Sequence, residues 1–536
     1  MHRATRVATI RRMIRQRLTL VPARAAASVV IVRAALVAVI LVLSACAPLP
    51  SLDRAPREMR SAPTVPAEEG VLARFADDAE AQLSERESAF WLLDDNADSL
   101  RIRIALADLA EETLDIQYFI WQDDMTGRLL LRHVIDAADR GVRVRILLDD
   151  LAVGGRDDEL VALGAHPRIE VRIFNPWRVR SQLGRPLEFV ARIGRLNHRM
   201  HNKIFVADGR FGIIGGRNIG DRYFGVYERF VQNDIDLLIA GPLLGDMLEA
   251  FEVYWRHPLA YELPRRAGGA ELVDALRDEN RASLAPDARF LSAFAAPAGG
   301  WDAWLSGFLD EPMPGEGEVL LDAPDVDERR PVQLYARFKS LVARAERDLI
   351  LSSPYLVPDP AFVALLDEAA ARGVRVRILT NSLASNSHVV AHSAYKKWRR
   401  ALLATGAELY EMRADAAVLE DYRTPPAEPA TLALHTKAAV VDGRLSFVGS
   451  PNIDPRSMIW NTEIGIVADD PSLAEALTRI LERDMLPENS WRVTLEEGGW
   501  LKWWNGDESV SRQPATGFSQ RAVEFFLNLL PIKNQT

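Results

Sequence analysis

The sequence predicts an α/β protein built from two related halves, and two repeated patterns support this prediction. Residues 140–147, Arg-Gly-Val-Arg-Val-Arg-Ile-Leu, recur letter for letter at 372–379, an offset of 232. The pattern His-x-Lys with a later aspartate occurs at 201–208 and again at 435–442, an offset of 234. Two landmarks at nearly one offset indicate a tandem duplication. A chain of 536 residues, 48% hydrophobic and 26% charged, is long enough to form two substantial cores.

Each half is predicted to begin with a strand, followed by a helix and a second strand. The first strand candidates are the apolar runs 114–121 and 349–356. Each copy of the octamer is typical of a helix end, a glycine that stops the helix, and a strand in which charged and apolar residues alternate.

A third strand in each half carries the repeated histidine. Residues i and i+2 of a strand point to the same face, so His201 and Lys203 can present an imidazole beside an ammonium, as can His435 and Lys437. The Asp-Gly pairs at 208–209 and 442–443 predict hairpin turns, followed by short strands at 211–214 and 445–448.

An asparagine follows each histidine after seventeen positions, at Asn218 and Asn452. Each asparagine comes directly after a stretch of small residues, which allow the backbone to approach a ligand closely.

With these motifs the chain resembles the phospholipase D superfamily, whose pattern HxKxxxxD occurs twice and is followed each time by a Gly-rich turn and an asparagine. Within it the chain is similar to the bacterial cardiolipin synthase C type, over roughly residues 90–535. The segments that carry the resemblance are 114–121, 199–203, 215–221 and 233–236. The second copy departs slightly, because Ser450 and Pro451 replace Gly216 and Arg217, and glutamate 463 replaces aspartate 234.

The resemblance implies two tandem phospholipase D-like α/β sandwich domains, related by a pseudo-twofold axis, with the active site at their interface. The predicted segments are a signal peptide of the lipoprotein type (1–45), a tether with an N-terminal helix (46–90), the first domain (91–265), a linker (266–316), the second domain (317–490) and an aromatic and leucine-rich C-terminal segment (491–536).

Paired histidines suit the cleavage of a phosphodiester, which needs a nucleophile, neutralisation of the phosphoryl oxygens and a proton for the leaving group. With an ordinary pKa of about 6.5, one ring can attack while the other donates a proton. Lys203 and Lys437 suit the non-bridging oxygens, and Asn218 and Asn452 can add neutral donors.

Carboxylates are predicted to hold the histidine rings in position. Asp234 and Glu463 are the candidates, by the logic of a third group that fixes the tautomer. Asp208 and Asp442, at the turns, are expected to hold the hairpins rather than to contact substrate. The resemblance implies that the motif residues form the catalytic set, namely His201, Lys203, Asp208, His435, Lys437 and Asp442. It also implies a phosphohistidine intermediate on His201, His435 as the general acid, and no metal or other cofactor.

Other polar residues are predicted to be structural. The histidines at 133, 166, 198, 257, 388 and 392 are assigned to the surface or the core, since none has metal-ligand spacing with other histidines or cysteines. The acidic pairs at 123–124 and 149–150 are interpreted as solvated strand ends or turns rather than as a cation site.

The N-terminus has the pattern of a targeting segment. Eight arginines precede an apolar run at 34–43, and no acidic residue occurs before Asp53. Residues 43–46, Leu-Ser-Ala-Cys, resemble a bacterial lipobox, which implies lipidation of Cys46, the only cysteine of the chain. We therefore expect a membrane-anchored lipoprotein on the periplasmic face of the cell envelope, and alanine after the cysteine allows transfer to the outer membrane. An uncleaved anchor is the alternative. Residues 47–68, with five prolines, are expected to be a flexible tether.

Composition also indicates the structure of two further segments, the linker and the C-terminal segment. The linker is predicted to contain helices at 270–280 and 301–309. The C-terminal segment contains tryptophans at 500, 503 and 504, and a cluster of phenylalanine and leucine at 525–530. Such a segment can enter a membrane interface or pack on the protein body, and the sequence does not decide between the two.

The resemblance implies a phosphatidyltransferase that makes cardiolipin, with phosphatidylglycerol or phosphatidylethanolamine as donor and phosphatidylglycerol as acceptor, and the lipid-anchor pattern favours the same function. A phospholipase D hydrolase that releases phosphatidic acid is the alternative, because entry of alcohol or water depends on pocket shape. A net charge of −10 disfavours a nuclease. A headgroup-binding lipoprotein without activity is disfavoured because both motif copies are intact. The expected partners are the phospholipid membrane and its lipids, and no protein partner can be inferred.

Overall fold

A computed structural model of the chain describes residues 62–177, 179, 185, 188–189, 192–263, 269–324, 333–386, 388–517 and 520. The chain divides into two compact units, of which the smaller comprises residues 1–60 and 177–197. In the described part of the smaller unit, a short helix spans Ile193–Leu196, and the rings of Trp177 and Phe189 lie 6.1 Å apart. The larger unit, 61–176 and 198–536, contains both histidine motifs.

The first half alternates strands and helices from residue 71 onward. Its strands are β1 (Glu87–Leu93), β2 (Thr113–Tyr118), β3 (Arg143–Asp149), β4 (Ile169–Phe174), β5 (Arg199–Met200), β6 (Ile204–Ala207), β7 (Phe211–Gly215), β8 (Val231–Asn233), β9 (Asp236–Ala240) and β10 (Ala260–Glu262). Its helices are α1 (Val71–Glu80), α2 (Asn96–Leu109), α3 (Met125–Asp139), α4 (Asp157–Leu163) and α5 (Leu243–Trp255).

The linker and the second half follow. The linker helices are α6 (Gly269–Leu284), α7 (Ala288–Leu291) and α8 (Gly300–Phe308). The strands of the second half are β11 (Met313–Leu321), β12 (Asp348–Ser352), β13 (Arg375–Asn381), β14 (Glu408–Met412), β15 (Leu432–Leu434), β16 (Ala438–Val441), β17 (Leu445–Gly449), β18 (Asn461–Thr462), β19 (Ile464–Asp469), β20 (Ser490–Leu495), β21 (Leu501–Asn505) and β22 (Glu508–Val510). Its helices are α9 (Gln333–Ala343), α10 (Pro360–Ala371), α11 (Val389–Tyr395), α12 (Arg399–Ala404), α13 (Leu419–Tyr422) and α14 (Pro471–Asp484).

Most of these strands form one continuous sheet whose order repeats on either side of its centre. At the centre, β1 pairs antiparallel with β11, as a twofold axis between them requires. From this pair the order runs β9, β7, β6, β2, β3, β4 in the first half and β19, β17, β16, β12, β13, β14 in the second. In each half the last three strands are parallel and the others antiparallel. The matching order confirms the predicted tandem α/β halves with a pseudo-twofold relation.

Hydrophobic packing follows the same division. One core lies in the first half and one in the second, and a third contains residues of both halves. In this shared core, Phe251 of α5 and Leu477 of α14 are fully buried together with residues of both sets of strands. Burial of such side chains removes a large apolar area from water, which stabilises the association of the halves.

Local predictions hold where short-range chemistry decides the structure. The octamers contain Gly141 and Gly373 at φ of 110° and 89°, directly after helices α3 and α10. Asp208 and Asp442 have φ of 50° and 57°, followed by glycines that also have positive φ, and β6–β7 and β16–β17 are hairpins. The Asp-Gly turns are therefore confirmed. Helices also occur in the linker where they were predicted.

The ends of the chain differ in part from expectation. The flexible tether predicted for 47–68 ends earlier, because Thr64 and Ala67 are buried and the Thr64 hydroxyl donates to Asp115 at 2.6 Å. Trp503 packs on the body and donates to Glu411 at 2.9 Å, whereas Trp500 is 74% exposed. The predicted signal peptide, Cys46 and the cluster at 525–530 lie outside the described residues. Within the described ranges, no helix is both long enough and apolar enough to span a bilayer.

Candidate active site

Two short parallel strand pairs connect the halves and bring the motif residues together. Strand β5 pairs with β18, and the backbone N–H of His201 donates to the carbonyl of Thr462 at 2.9 Å. Strand β8 pairs with β15, and the backbone N–H of His435 donates to the carbonyl of Asn233 at 2.8 Å. Each histidine directly follows one strand of such a pair, and it therefore lies beside the residue that directly follows the other strand of the pair, in the other half.

The residue beside His201 is Glu463. Nδ1 of His201 lies 2.7 Å from Oε2 of Glu463. The same carboxylate accepts hydrogen bonds from the hydroxyls of Ser450 (2.5 Å) and Ser457 (2.8 Å) and from the amide of Asn461 (3.3 Å). An ionised carboxylate accepts from Nδ1–H, so the lone pair of the ring is left on Nε2.

The residue beside His435 is Asp234. Nδ1 of His435 hydrogen-bonds to Oδ2 of Asp234, which lies in the first half. Nζ of Lys437 lies 2.9 Å from the same ring nitrogen and 3.7 Å from Oδ2 of Asp234. The two predicted ring-orienting carboxylates therefore contact histidines, and each acts on the histidine of the other half. The histidine side chains retain 10% and 8% exposure while their carboxylates have none, so a ligand can reach the rings alone.

The departures of the second copy fit this exchange of carboxylates. A Cβ added to Gly216 would lie 2.2 Å from Oδ1 of Asp234, so the short aspartate requires glycine at this position. In the second half, Ser450 occupies the equivalent position and donates its hydroxyl to the longer Glu463. The paired changes preserve one function, a buried carboxylate aimed at a histidine.

The lysines and two aromatic rings complete the surroundings of the histidines. Nζ of Lys203 and of Lys437 each donate to the carbonyl of the histidine two residues earlier. Phe119 lies edge-on to His201 with ring centroids 4.8 Å apart, and Nζ of Lys203 lies 5.5 Å from the Phe119 ring. Tyr223 lies edge-on to His435 at 5.3 Å.

Burial dominates the protonation of the site. It lowers the pKa of both His201 and His435, and the carboxylates oppose this effect only in part. Burial also lowers the pKa of Lys203 to about 7, with a further contribution from Lys437, although Glu463 opposes it. Burial disfavours ionisation of Glu463, but His201 and Lys203 outweigh it, so its pKa is lowered. The site thus holds neutral rings beside ionised carboxylates before substrate binds.

The motif aspartates serve the hairpins, as predicted. The carboxylate of Asp208 accepts three backbone N–H groups at 2.8–2.9 Å, from residues 111–113. Asp442 likewise accepts from the backbone of residues 346–348, with closest contacts of 2.7–3.0 Å. Each aspartate joins its turn to the start of the neighbouring strand, β2 or β12, and so positions the histidine strand.

The two asparagines have different surroundings. Oδ1 of Asn218 accepts from the N–H of Ile120 at 3.1 Å, and its amide donates to the Tyr223 hydroxyl at 3.1 Å. Oδ1 of Asn452 is buried without a hydrogen-bond partner among the described residues. The amide group of Asn218 therefore keeps one N–H for a ligand, while Asn452 is held less firmly.

One sequence interpretation was wrong. Asp149 is not a solvated strand end: it is fully buried, accepts the N–H of Met200 at 3.0 Å and pairs with Arg199 at 3.2 Å. It therefore fixes β5 immediately before His201. In the described ranges, no group of three or more His, Cys, Asp or Glu side chains is arranged to hold a metal ion.

Sequence reasoning missed the residues that support the rings. Phe119 lies in a segment that carries the family resemblance and Tyr223 lies two residues beyond another, yet aromatic residues at such positions are usually core residues. The hydroxyls of Ser450 and Ser457 gave no recognisable pattern, because only the fold shows that they donate to Glu463.

A comparison with known families decides the relationship. A family model described as "Cardiolipin synthase, PLD-like domain" matches residues 104–255 and again residues 338–485, which is more than half of the chain. The chain belongs to this family. The two matches coincide with the two halves of the sheet.

Two relatives and one solved structure extend the comparison. Cardiolipin synthase C of Escherichia coli (strain K12) is 37% identical over 457 residues, which cover 82% of this chain and 94% of that protein. Cardiolipin synthase B of Shigella flexneri is 26% identical over 393 residues, 71% of this chain and 79% of that protein. The crystal structure of phosphatidylserine synthase from Haemophilus influenzae Rd KW20 matches with a TM-score of 0.51 and 14% identity, covering 76% of this chain and 91% of that one. The last match supports the fold alone.

Proposed function

We propose that this chain is a phosphatidyltransferase that forms cardiolipin through a phosphohistidine intermediate. The observation that carries the proposal is the doubled site, in which two histidines each have a lysine beside them and a buried carboxylate from the other half. A single histidine can attack phosphorus or supply a proton, but a reaction with both steps needs two. A relative named cardiolipin synthase is similar to this chain over most of its own length, and this similarity supports the substrate class.

In the first step, Nε2 of His201 attacks the phosphorus of a donor phospholipid. A P–N bond forms, the P–O bond to the headgroup breaks, and His435 gives its proton to the leaving alkoxide. Lys203 and Lys437 neutralise the non-bridging oxygens, and Asn218 offers a neutral donor. In the second step, the hydroxyl of an acceptor phosphatidylglycerol attacks, its proton passes to His435, and the P–N bond breaks. Release of the first product before the acceptor enters gives ping-pong kinetics.

The pKa shifts of the two histidines bear on their proposed roles, His201 as nucleophile and His435 as general acid. A nucleophile must be neutral, and burial keeps the pKa of His201 low. The general acid must hold a proton, although burial, Lys437 and Lys203 lower the pKa of His435. An anionic phosphodiester at the site favours the protonated ring and raises this pKa, so substrate binding takes up a proton.

The donor is phosphatidylglycerol or phosphatidylethanolamine, and the enzyme acts at the membrane surface. We propose further that it is a lipoprotein of the bacterial envelope, anchored through Cys46 on the periplasmic face. The lipobox pattern supports this location, and it lies outside the described residues. Metabolic labelling with a fatty acid tests it: label must enter the wild-type protein and be absent from Cys46→Ser.

The purified protein tests the activity directly. In mixed micelles with labelled phosphatidylglycerol, with and without phosphatidylethanolamine, mass spectrometry identifies the products. Cardiolipin supports the proposal, whereas phosphatidic acid alone indicates a hydrolase. Degradation of DNA in a parallel incubation indicates a nuclease. Cardiolipin formation at wild-type rates by His201→Ala or His435→Ala would refute the mechanism.

A further inference from the structure

An arginine beside the active site has no ionic partner among the residues that the structure describes. Arg222 is partly buried in the short 3₁₀ helix Asp221–Tyr223, yet its side chain makes no ion pair and no hydrogen bond among the described residues. Three fully buried arginines of the same half behave differently, because Arg103, Arg145 and Arg217 all pair with carboxylates. An unpaired guanidinium that has lost part of its hydration is suited to bind an anion.

The position of Arg222 connects it to one catalytic histidine. Its guanidinium carbon lies 5.6 Å from the ring centroid of Tyr223 and 5.9 Å from that of Phe230. Tyr223 in turn contacts His435, with ring centroids 5.3 Å apart. The two rings hold the guanidinium by cation–π attraction and leave its N–H groups available. Arg222 therefore lies on the side of the site that belongs to His435.

The second half contributes to the same neighbourhood. Burial lowers the pKa of His388, and Arg222 is close enough to lower it further. Nδ1 of His388 lies 2.7 Å from the Tyr355 hydroxyl, and both residues belong to the second half. His388 of the second half therefore lies within electrostatic range of the guanidinium.

The chemistry of the proposed reaction requires such a cation. Cardiolipin contains two phosphodiesters joined by one glycerol, so an acceptor phosphatidylglycerol brings a second anionic phosphate close to the first. Lys203 and Lys437 serve the phosphate that reacts. The acceptor hydroxyl must also meet His435, which removes its proton.

We propose that Arg222 binds the phosphate of the acceptor phosphatidylglycerol and so directs its hydroxyl toward the phosphohistidine. This inference rests on the proposed function. Guanidinium recognises phosphate by two parallel hydrogen bonds, which fixes the orientation of the acceptor as well as its position. Arg222 is thus a specificity residue that favours an anionic lipid alcohol over water or a neutral alcohol.

Competition between two acceptors tests the proposal. The full-length protein is incubated with phosphatidylglycerol micelles and ethanol, and cardiolipin, phosphatidylethanol, phosphatidic acid and released glycerol are measured. The ratio of cardiolipin to phosphatidylethanol does not depend on how much enzyme is active, so partial misfolding of a variant does not affect it. We expect Arg222→Gln to lower this ratio roughly tenfold or more, the effect of a lost hydrogen bond to a charged group. Arg222→Lys, which keeps the charge, should lie between the two.

Arg229→Gln is the matched control, because Arg229 is an exposed arginine of the same loop. Its product ratio should equal that of the wild type. An unchanged ratio in Arg222→Gln overturns the inference while leaving the proposed function intact. An equal fall in Arg229→Gln also overturns it, since the effect would then be general attraction to anionic micelles. If the folded Arg222→Gln releases no glycerol, the residue serves the donor and the inference is wrong. A wild-type protein that forms only phosphatidic acid refutes the proposed function and this inference together.

Discussion

Replacement of Glu463 by glutamine tests the central feature of the site, a histidine oriented by a carboxylate from the other half. Glu463 is fully buried and accepts hydrogen bonds from His201, Ser450, Ser457 and Asn461. Glutamine has nearly the same shape and keeps one acceptor oxygen. The serine hydroxyls can rotate to accept from its amide group, so the fold should persist.

The size of the effect follows from the lost charge. A hydrogen bond to an ionised partner contributes about 1.5–3 kcal/mol. Because each 1.4 kcal/mol corresponds to roughly a factor of ten in rate, Glu463→Gln should lower kcat by about 10- to 100-fold. Loss of the negative charge also removes the main opposition to the burial that lowers the pKa of His201. The ring then stabilises positive charge less well when phosphorus bonds to it.

The assay is release of labelled glycerol from phosphatidylglycerol micelles, together with thermal unfolding of each variant. Glu482→Gln is the control, since Glu482 pairs with Arg377 at 2.5 Å but its side chain is 49% exposed. It should retain kcat within about twofold, as surface pairs contribute little. Wild-type kcat in a folded Glu463→Gln would show that the buried carboxylate does not assist His201.

Three further predictions follow from the structure. If His435 protonates the leaving group, His435→Ala should regain release of nitrophenol from a donor with a nitrophenol leaving group, which needs no proton; His201→Ala should not, and the reverse pattern would exchange the two roles. The pKa of Lys203 is about 7 before substrate binds, and only the protonated lysine can neutralise the phosphate, so kcat/KM should fall as pH rises through that value. Bound phosphate raises this pKa, so kcat should fall only at higher pH. The pH–rate profiles of both constants check this, and coincident profiles would contradict it. Asp208→Ala should destabilise the fold by about 2–4 kcal/mol in denaturant unfolding, because one buried and two partly buried backbone hydrogen bonds lose their acceptor. Asp442→Ala should cost less, since two of the three hydrogen bonds that it accepts are exposed, and equal losses would contradict this reasoning.

Much of the architecture could be predicted because it depends on short-range chemistry and on repetition. The octamer predicted a helix, a glycine and a strand, since glycine adopts positive φ without a steric penalty. The Asp-Gly turns were predictable for the same reason. By contrast, burial of Asp149 was not, because its partner Arg199 is fifty residues away and nothing in the local pattern indicates the pairing.

The active site divides in the same way. The spacing of His201 and Lys203, repeated at His435 and Lys437, identified the reacting groups, since alternate residues of a strand share one face. Asp234 and Glu463 were named as the orienting carboxylates, but the sequence did not show that each serves the other half. Residues 201 and 463 lie 262 positions apart, and no periodicity relates them.

The sequence by itself determined which side chains can react, because the duplicated motifs contain the chemistry in their residue types and spacing. Only the tertiary structure decided which carboxylate orients which ring, because two short strand pairs across the halves set those contacts. It also decided that Tyr223 lies against His435 and that Arg222 makes no ion pair with the part of the chain that the structure describes. Such features depend on the distances between segments remote in sequence, and these distances are fixed only when the shared core forms.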